Sequence, residues 1–258
     1  MATDSTWLPL GCLQDNYAWR TAIDSRAYLV DPGEARPCLD WLQNEQLQLD
    51  ALLVTHRHAD HVDGIGELIA KWPDAQVIAP AEYSGREVTR TVAAGDNIEL
   101  ADGAIKMTAL ATPGHTRGHL SYLGAGFVLA GDALFVAGCG RLFEGDGNDL
   151  LASMEVFRAL PEDTQLCCGH EYTLGNLAFA RLVEPDNQLL QEFCQRAEKL
   201  RAEKLPTVPT TIGQELAINP FLRYDQQAVI ASVCHQAGRQ LSEPADIVLG
   251  LRRWKDSL

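Results

Sequence analysis

The hydrophobic pattern of the first two thirds of the chain consists of short apolar runs separated by turn-forming residues. AYLVD (27–31), ALLVTH (51–56) and AQVIAP (75–80) are rich in valine, isoleucine and leucine, and HLSYLG (119–124) and FVLAGD (127–132) follow them. Runs of this length and composition are typical of buried strands. The pattern therefore predicts strands in these five segments.

Helical and turn signals lie between the strand-like runs. In GIGELIAKW (64–72) the apolar residues recur at the spacing i, i+3, i+4, i+7, which predicts one buried helical face. The Asp-Gly pair at 102–103 lies between two strand-like segments and predicts a β-hairpin. NDLLASMEVFRAL (148–160) predicts an amphipathic helix with Asn148 or Asp149 as its N-cap.

The pattern changes after a last predicted strand at 164–170. From about Leu174 the apolar periodicity is helical almost throughout, and prolines separate the helices, which are predicted at 174–183, 186–204, 225–237 and 243–255. The sequence therefore predicts a strand-rich α/β domain at 1–173 and a small all-helical domain at 174–258.

The charge is as uneven as the pattern. The 258 residues carry a formal net charge of −14. Residues 1–173 hold 11 Lys and Arg against 25 Asp and Glu, whereas 174–258 hold 10 of each. An acidic chain is expected to bind neither nucleic acid nor anionic membranes. An anionic small molecule would need local basic groups, which are relatively more frequent in the helical part.

The composition favours a cytoplasmic globular protein. Apolar residues make up 46% and charged residues 22%, and no apolar run is long enough to span a bilayer. The N-terminal MATDSTWLPL lacks the basic and apolar regions of a signal peptide. An odd number of cysteines, seven, favours reduced thiols, and the adjacent pair at 167–168 is expected to pack inside a strand.

The chemistry is concentrated in THRHADHVDG (55–64), between a predicted strand and a predicted helix. His56 and His58 alternate, so on extended backbone they point the same way, and Asp60 and His61 follow around the turn. Crowded imidazoles and carboxylates have no comparable structural use. They are suited to zinc, iron or manganese.

Three further ligand-type side chains stand beside glycine at predicted strand ends: His115, Asp132 and His170. Four donors on one loop exceed what a single open catalytic metal uses, so the full set predicts two metals, and a carboxylate such as Asp132 can bridge them. His119 is interpreted as a supporting residue. His235 is interpreted as a surface residue or a helix contact.

Together these segments resemble the metallo-β-lactamase superfamily, and their spacing resembles its glyoxalase II branch, the hydroxyacylglutathione hydrolases. The metal motifs of the resemblance are THRHADHVDG, TPGHTRGHL, GDALF and CGHEYT. It extends over essentially the whole chain through DNYAWR (15–20), DPGEA (31–35), GCGRLFEG (138–145), FARLVEPDN (179–187), PTVPTTIGQELAINPFLR (206–223) and LRRWKDS (251–257). The C-terminal segments are the ones that indicate the branch.

This resemblance implies an αββα metallo-β-lactamase sandwich, followed by the helical domain, with two divalent ions at one edge of the sheets. Zinc is the expected metal, with iron or manganese as alternatives. The implied ligands are His56, His58 and His115 on one ion, Asp60, His61 and His170 on the other, and Asp132 between them. Asp60, with His56 and His58, is implied to be catalytic.

The implied reaction is hydrolysis of an S-(2-hydroxyacyl)glutathione, typically S-D-lactoylglutathione, to D-lactate and glutathione, the second step of methylglyoxal detoxification. A hydroxide bound to both metals would attack the thioester carbonyl. The residues implied to hold glutathione are Arg141, Tyr172, Arg252 and Lys255. A monomeric enzyme is expected.

The chain departs from the family pattern at three positions. Arg57 stands where a histidine is common, Ala59 where a larger residue is common, and Phe143 where relatives often carry a tyrosine that contacts glutathione. Three alternatives remain: a lactonase or β-lactamase on the same fold, a glutathione persulfide dioxygenase, and a metal-binding protein without catalytic activity.

Overall fold

A computed structural model describes residues 6–258, which divide into two compact units. As far as it is described, unit 1 comprises 6–111, 118–131 and 167–170, and unit 2 comprises 112–117, 132–166 and 171–258. The expectation that the chain lacks a signal peptide rests on its N-terminal segment. Residues 1–5 of that segment lie outside the described residues. The domain limit at 173/174 stays a prediction.

The first sheet of unit 1 has the strand order β1-β2-β3-β4-β5-β6. Its strands are β1 (Leu8–Cys12), β2 (Asn16–Ile23), β3 (Arg26–Val30), β4 (Gln48–Leu53), β5 (Gln76–Pro80) and β6 (Arg90–Val92). The pairs β1-β2 and β2-β3 are antiparallel, whereas β3 to β6 are parallel. Parallel strands need crossover connections. Helices make the connections from β3 to β4 and from β4 to β5, whereas an irregular segment, 81–89, joins β5 to β6.

The second sheet of unit 1 is antiparallel through β7 (Asn97–Leu100), β8 (Ile105–Ala111), β9 (Leu120–Gly124) and β10 (Phe127–Gly131). The strand β13 (Gln165–Cys168) adjoins β10. A 3₁₀ turn at Ala101–Gly103 joins β7 to β8, so the hairpin predicted from the Asp-Gly pair is confirmed.

The core of unit 1 joins its two sheets. The Tyr122 hydroxyl of β9 donates to the Val54 carbonyl just after β4, at 2.6 Å. Trp19 Nε1 of β2 donates to the Cys168 carbonyl of β13, at 2.9 Å. On the outer face of the first sheet, Trp41 of α1 (Ala35–Asn44) packs into one apolar cluster with the buried side chains of α3 (Ile65–Lys71). Burial of large side chains of this kind stabilises by about 1.5–3 kcal/mol each.

Unit 2 is mainly helical. Its helices are α4 (Gly147–Arg158), α5 (Thr173–Val183), α6 (Gln188–Ala202), α7 (Ile212–Ile218), α8 (Gln227–Ala237) and α9 (Pro244–Asp256). It also contains the hairpin of β11 (Leu134–Phe135) and β12 (Gly138–Cys139), and β14 (Thr210–Thr211), which pairs with residues 165–166 of β13. The helical pattern did not predict β14 or α7.

One local prediction is wrong. The N-cap of α4 is Asp146, not Asn148 or Asp149, because the Asp146 carboxylate accepts the N–H groups of both residues. Asp149 in turn accepts the Asp146 N–H at 3.0 Å and closes a capping box.

The described cysteines and helices bear on two other expectations. None of the seven cysteines, all of which lie among the described residues, forms a disulfide, and all are buried. Cys167 and Cys168 lie inside β13 as predicted. Between residues 6 and 258, no helix has both the length and the apolar character needed to cross a membrane.

Candidate active site and metal centre

The loop after β4 brings the first histidines of unit 1 together. His56 is fully buried, and His58 is the N-cap of α2 (Ala59–Val62) with extended backbone. His56 Nε2 lies 3.1 Å from His58 Nδ1. The alternation expected from the sequence therefore places both rings on one side of the strand-to-helix loop.

A second group in unit 1 contains Asp60, His61 and His170. One ligand atom from each lies within 4.8 Å of the other two. Asp60 Oδ2 is 3.3 Å from His170 Nε2 and 3.7 Å from His61 Nε2. Asn16 Nδ2 also donates to Asp60 Oδ2, at 2.9 Å, and so fixes the rotamer of that carboxylate.

Carboxylates hold the far side of two of these rings. Asp31 Oδ2 lies 3.1 Å from His61 Nδ1, and Asp15 Oδ1 lies 2.9 Å from His170 Nδ1. Asp31 is itself fixed by Thr55, whose N–H and hydroxyl donate to it at 2.8 and 2.7 Å. A carboxylate on Nδ1 leaves Nε2 as the basic nitrogen and orients the ring, as in metal-ligating histidines.

Sequence reasoning missed Asp15, Asn16 and Asp31 as functional residues. They lie in DNYAWR and DPGEA, which carried the family resemblance but were given no role. A backbone signal accompanies Asp31, because its φ of 52° is rare for a residue other than glycine. Gly33 allows the Asp60 carbonyl to approach, since a Cβ there would stand 1.8 Å from that oxygen.

His119 and His235 lie as the sequence suggested. His119 is buried in unit 1 and stacks on His56, with ring centroids 5.0 Å apart. It therefore supports the ring of a predicted ligand. His235 is exposed at the end of α8.

Unit 2 carries the two remaining predicted ligands, and both are buried. His115 Nε2 lies 3.4 Å from Asp132 Oδ2, and His115 Nδ1 lies 2.9 Å from the Arg141 carbonyl. The backbone of Gly140 packs against Asp132, since a Cβ at Gly140 would stand 2.0 Å from the Asp132 carbonyl oxygen. The segment 132–141 therefore closes on itself and holds both side chains.

A cavity of about 1040 Å³ lies within unit 2 and joins these two residues to all four predicted substrate-binding residues. Its lining includes His115, Asp132, Arg141, Tyr172, Arg252 and Lys255. Apolar side chains of α5 form another part of the wall. A ligand bound in this cavity would therefore meet metal-ligating side chains, cations and an apolar surface.

Two cations of the cavity, Arg252 and Arg141, contact the carboxylate of Asp256. Its Oδ1 lies 2.8 Å from Arg252 Nη2 and 3.3 Å from Arg141 Nε. Arg252 is buried and also donates to the Cys139 carbonyl at 2.9 Å. Lys255 hydrogen-bonds to the Asn176 side chain, and burial together with the nearby Arg252 charge lowers the pKa of Lys255 to about 8.

Two aromatic residues of the cavity are open to solvent. Tyr172 is 40% exposed and packs edge-on to Phe135, with ring centroids 5.2 Å apart. Phe143 is 60% exposed and packs edge-on to His115, at 5.3 Å. Both rings therefore have surface available for a ligand.

The donor sets fit divalent metal ions. Imidazole nitrogens and carboxylate oxygens are the ligands that zinc and iron use, and the crowded rings in unit 1 have their Nδ1 or Nε2 atoms directed at one another or at Asp60. The clustering of these donors, together with the acceptors that orient the rings of His61, His170 and His115, is what a metal centre requires.

Comparison with known families agrees with this geometry. Residues 17–170 match the family model of the metallo-β-lactamase superfamily, so the chain belongs to that superfamily. The solved B3 metallo-β-lactamase BLEG-1 matches with a TM-score of 0.61 and 25% identity, over 84% of this chain and 98% of that one.

The residues after 170 show which family of the superfamily the chain belongs to. Residues 171–258 match the model of the hydroxyacylglutathione hydrolase C-terminus. Hydroxyacylglutathione hydrolase 2 of Vibrio vulnificus (strain YJ016) is 44% identical over 94% of this chain and 95% of its own length. The hydroxyacylglutathione hydrolase of Xanthomonas euvesicatoria pv. vesicatoria (strain 85-10) is 41% identical over 96% and 97%. The chain is a member of the hydroxyacylglutathione hydrolase family, and the predicted fold class, a metallo-β-lactamase fold followed by a helical region, is confirmed.

Proposed function

We propose that the protein hydrolyses the thioester bond of S-(2-hydroxyacyl)glutathiones, including S-D-lactoylglutathione, to a 2-hydroxy acid and glutathione. The observation that carries the proposal is the cavity of unit 2, where His115 and Asp132 share a lining with Arg141, Arg252 and Lys255. A glutathione thioester has a reacting carbonyl at one end and carboxylates at the other, and needs both kinds of group. The names of the relatives support the same substrate class.

We assign the metal ligands as the family resemblance implies: His56, His58 and His115 for one ion, Asp60, His61 and His170 for the other, and Asp132 for both. The short distances within each unit support this assignment. Divalent ions held there would ionise water near neutral pH and stabilise negative charge on the thioester oxygen. Zinc is the proposed metal.

The chain's own groups prepare this chemistry. Asp15, Asp31 and the Arg141 carbonyl each hold the Nδ1 side of a histidine, so that Nε2 is the atom available to an ion. Asp60, fixed by Asn16, is proposed to orient the attacking water as well as to bind metal. Because these groups are ordered before substrate arrives, little reorganisation is needed during reaction.

Substrate recognition is proposed for the cationic side of the cavity. Arg141, Arg252 and Lys255 would bind the carboxylates of glutathione, and the Tyr172 hydroxyl would hydrogen-bond to the tripeptide. These contacts lie away from the reacting bond, so they should act alike on substrate and transition state. Residues 1–173 are proposed as the catalytic domain and 174–258 as the substrate-binding domain of a monomer.

A cytoplasmic location is also proposed. The seven buried cysteines outside disulfides support it, because a reducing compartment keeps cysteines in this state.

The test is an assay of the purified protein with S-D-lactoylglutathione, before and after treatment with a chelator and after zinc is restored. We expect hydrolysis that is lost with the metal and regained with it, and about two ions per chain by elemental analysis, because seven donors exceed one open site. A fully active preparation with one ion or fewer would overturn the binuclear assignment.

Parallel assays separate the alternatives. A β-lactam, a lactone and a glutathione persulfide are offered to the same preparation, with oxygen consumption followed for the persulfide. Faster turnover of any of these than of the thioester would replace the proposed function with that activity. Metal binding without turnover of any substrate would indicate a non-catalytic protein.

A further inference from the structure

The turn between β11 and β12 is buried, although it is a hairpin turn with backbone groups to satisfy. All six residues from Leu134 to Cys139 are buried, and Ala137 has a φ of 53°, a conformation that favours glycine. A buried turn of this kind persists only where its surroundings hold it. The groups that hold it are side chains of the helices of unit 2.

Glu215 of α7 and Asn219, the C-cap residue of that helix, make the central contacts. Glu215 Oε2 accepts the Ala137 N–H at 2.7 Å. Asn219 Nδ2 donates to the carbonyls of Phe135 and Gly138, at 3.1 and 3.0 Å. Glu215 and Asn219 lie one helical turn apart, are completely buried and are bonded to each other at 3.0 Å.

The neighbouring peptide groups are bonded from other helices. Asn176 of α5 donates to the Val136 carbonyl at 2.9 Å, and Arg252 of α9 donates to the Cys139 carbonyl at 2.9 Å. Polar side chains from α5, α7 and α9 therefore bond every residue from 135 to 139. Glu215 and Asn219 are not among the residues that line the cavity.

The turn connects to the site at both of its ends. Asp132 precedes β11 by two residues, and Arg141 follows β12 by two residues. The Arg141 carbonyl holds the His115 ring, and Gly140 packs on Asp132. A shift of the turn would therefore move Asp132, His115 and Arg141 together.

We propose that Glu215 and Asn219 are positioning residues for the hydrolysis: they hold the hairpin Leu134–Cys139 and thereby place Asp132, His115 and Arg141. The proposal rests on the proposed function. It assigns a function to the segment IGQELAIN (212–219), none of whose residues lines the cavity.

The Thr210 hydroxyl allows Glu215 to hold the hairpin whether its carboxyl group is ionised or protonated. It donates to Glu215 Oε1 at 2.9 Å, and a hydroxyl can equally accept from a protonated carboxyl or an amide. Burial raises the pKa of Glu215 to about 7, so both forms are present at neutral pH. Because the donors Ala137 and Asn219 both face Oε2, a proton on Oε1 leaves their bonds in place.

The key experiment compares Glu215→Gln with Glu215→Leu. Glutamine can keep an oxygen toward Ala137 and Asn219 and present its NH₂ to Thr210, so we expect kcat, KM and the pH profile to stay within about twofold of the parent. Leucine removes both acceptors, and a displaced site should lower kcat/KM by on the order of 10- to 100-fold, through a lower kcat and a higher KM.

Hydrogen exchange gives a readout that does not depend on activity. Peptides covering 134–139 should exchange faster in Glu215→Leu than in the parent or in Glu215→Gln. Val229→Ala is the matched control, since Val229 is a fully buried residue of α8. It should lower the melting temperature but leave kcat, KM and hairpin exchange of the folded protein unchanged.

If Glu215→Leu does not fold, Asn219→Ser replaces it and should show the same pattern. A folded variant with parental hairpin exchange and parental kinetics would overturn the proposal, as would equal kinetic losses in Val229→Ala. A parent without thioesterase activity would overturn the proposed function instead. The positioning claim would then be decided by hairpin exchange and by zinc stoichiometry in the same variants.

Discussion

The histidine cluster of unit 1 and the hairpin of unit 2 hold their functional groups in different ways. In unit 1, charged side chains hold other side chains, as Asp31 holds His61 and Asp15 holds His170. In unit 2, side chains hold backbone, and the backbone carries Asp132 and Arg141. Removing a charge should therefore damage the first arrangement, whereas removing a hydrogen-bonding group should damage the second.

The largest effect is expected where a proposed ligand is removed. Asp60→Ala in unit 1 and Asp132→Ala in unit 2 should each lower kcat/KM by roughly 10³-fold, the upper range for loss of one preorganised electrostatic group. Metal content should fall with activity. Asp63→Ala is the control, because Asp63 is exposed in the same loop as Asp60. Native metal content and activity in Asp132→Ala would show that its assignment is wrong.

A smaller loss is expected when only the supporting charge is removed. Asp31→Asn keeps an oxygen for the Thr55 N–H but presents an NH₂ group to His61 Nδ1. We expect metal affinity or activity to fall by about 10- to 100-fold. Asp15→Asn should cost less, since Asp15 is more exposed than Asp31, at 37% against 3%. Zinc titration of both variants checks the order, and equal or reversed losses would contradict it.

Substrate binding should depend on the charge of Lys255 rather than on the shape of the site. Lys255→Met should raise KM by about tenfold and leave kcat and metal content unchanged, as expected for loss of one charged hydrogen bond. Lys199→Met, at an exposed position of α6, is the control. Arg252 is less suited to this test because it also bonds the Cys139 carbonyl, so its removal combines binding with structure.

The same residue gives a pH dependence with a definite sign. The pKa of Lys255 is lowered from 10.5 to about 8, so its positive charge is lost as pH rises through 8. KM of the parent should rise above that pH, and KM of Lys255→Met should not respond. Between pH 8 and 10.5 the folded state binds fewer protons than the unfolded state, so this residue adds stability as pH increases. Steady-state kinetics at pH 7 to 9 decide the first expectation.

The smallest effect is expected at Phe143. Phe143→Tyr introduces the hydroxyl that the family resemblance leads us to expect, on a ring that is 60% exposed. A net hydrogen bond at such a place is worth about 0.5 kcal/mol, so KM should fall by about twofold with kcat unchanged. A higher KM would indicate that the Phe143 ring is needed for packing against His115 rather than for contact with the substrate.

Much of the fold was predictable because its signals are local. The helices α5, α6, α8 and α9 follow from apolar periodicity, and the β7-β8 hairpin follows from an Asp-Gly pair. The predicted N-cap of α4 was wrong because several polar residues precede that helix, and only the geometry selects Asp146. The strand β14 has two residues and carries no periodic signal at all.

The residues proposed as ligands could be singled out from the sequence, because four are crowded on one loop and three stand beside glycine at predicted strand ends. Their assignment as metal ligands stays a prediction. The groups that hold them could not be singled out, since their partners are distant in the chain. Asp15 meets His170 across 155 positions, and Glu215 meets Ala137 across 78. A buried glutamate in a helix looks like an ordinary charged position until the structure shows that it faces a backbone amide.

The charge around the cavity has a consequence for product release. Arg141, Arg252 and Lys255 act on an anion only over about a Debye length, roughly 8 Å at physiological salt, whereas the chain as a whole carries a charge of −14. Both proposed products are anions. Once either has moved beyond that range of the cations, the net negative charge of the chain, which is screened over the same length, repels it. This repulsion favours release and reduces product inhibition. Added salt should therefore have two opposite effects. It should strengthen inhibition by free lactate slightly, and it should weaken glutathione binding by more. Product-inhibition constants measured at two ionic strengths will decide this comparison.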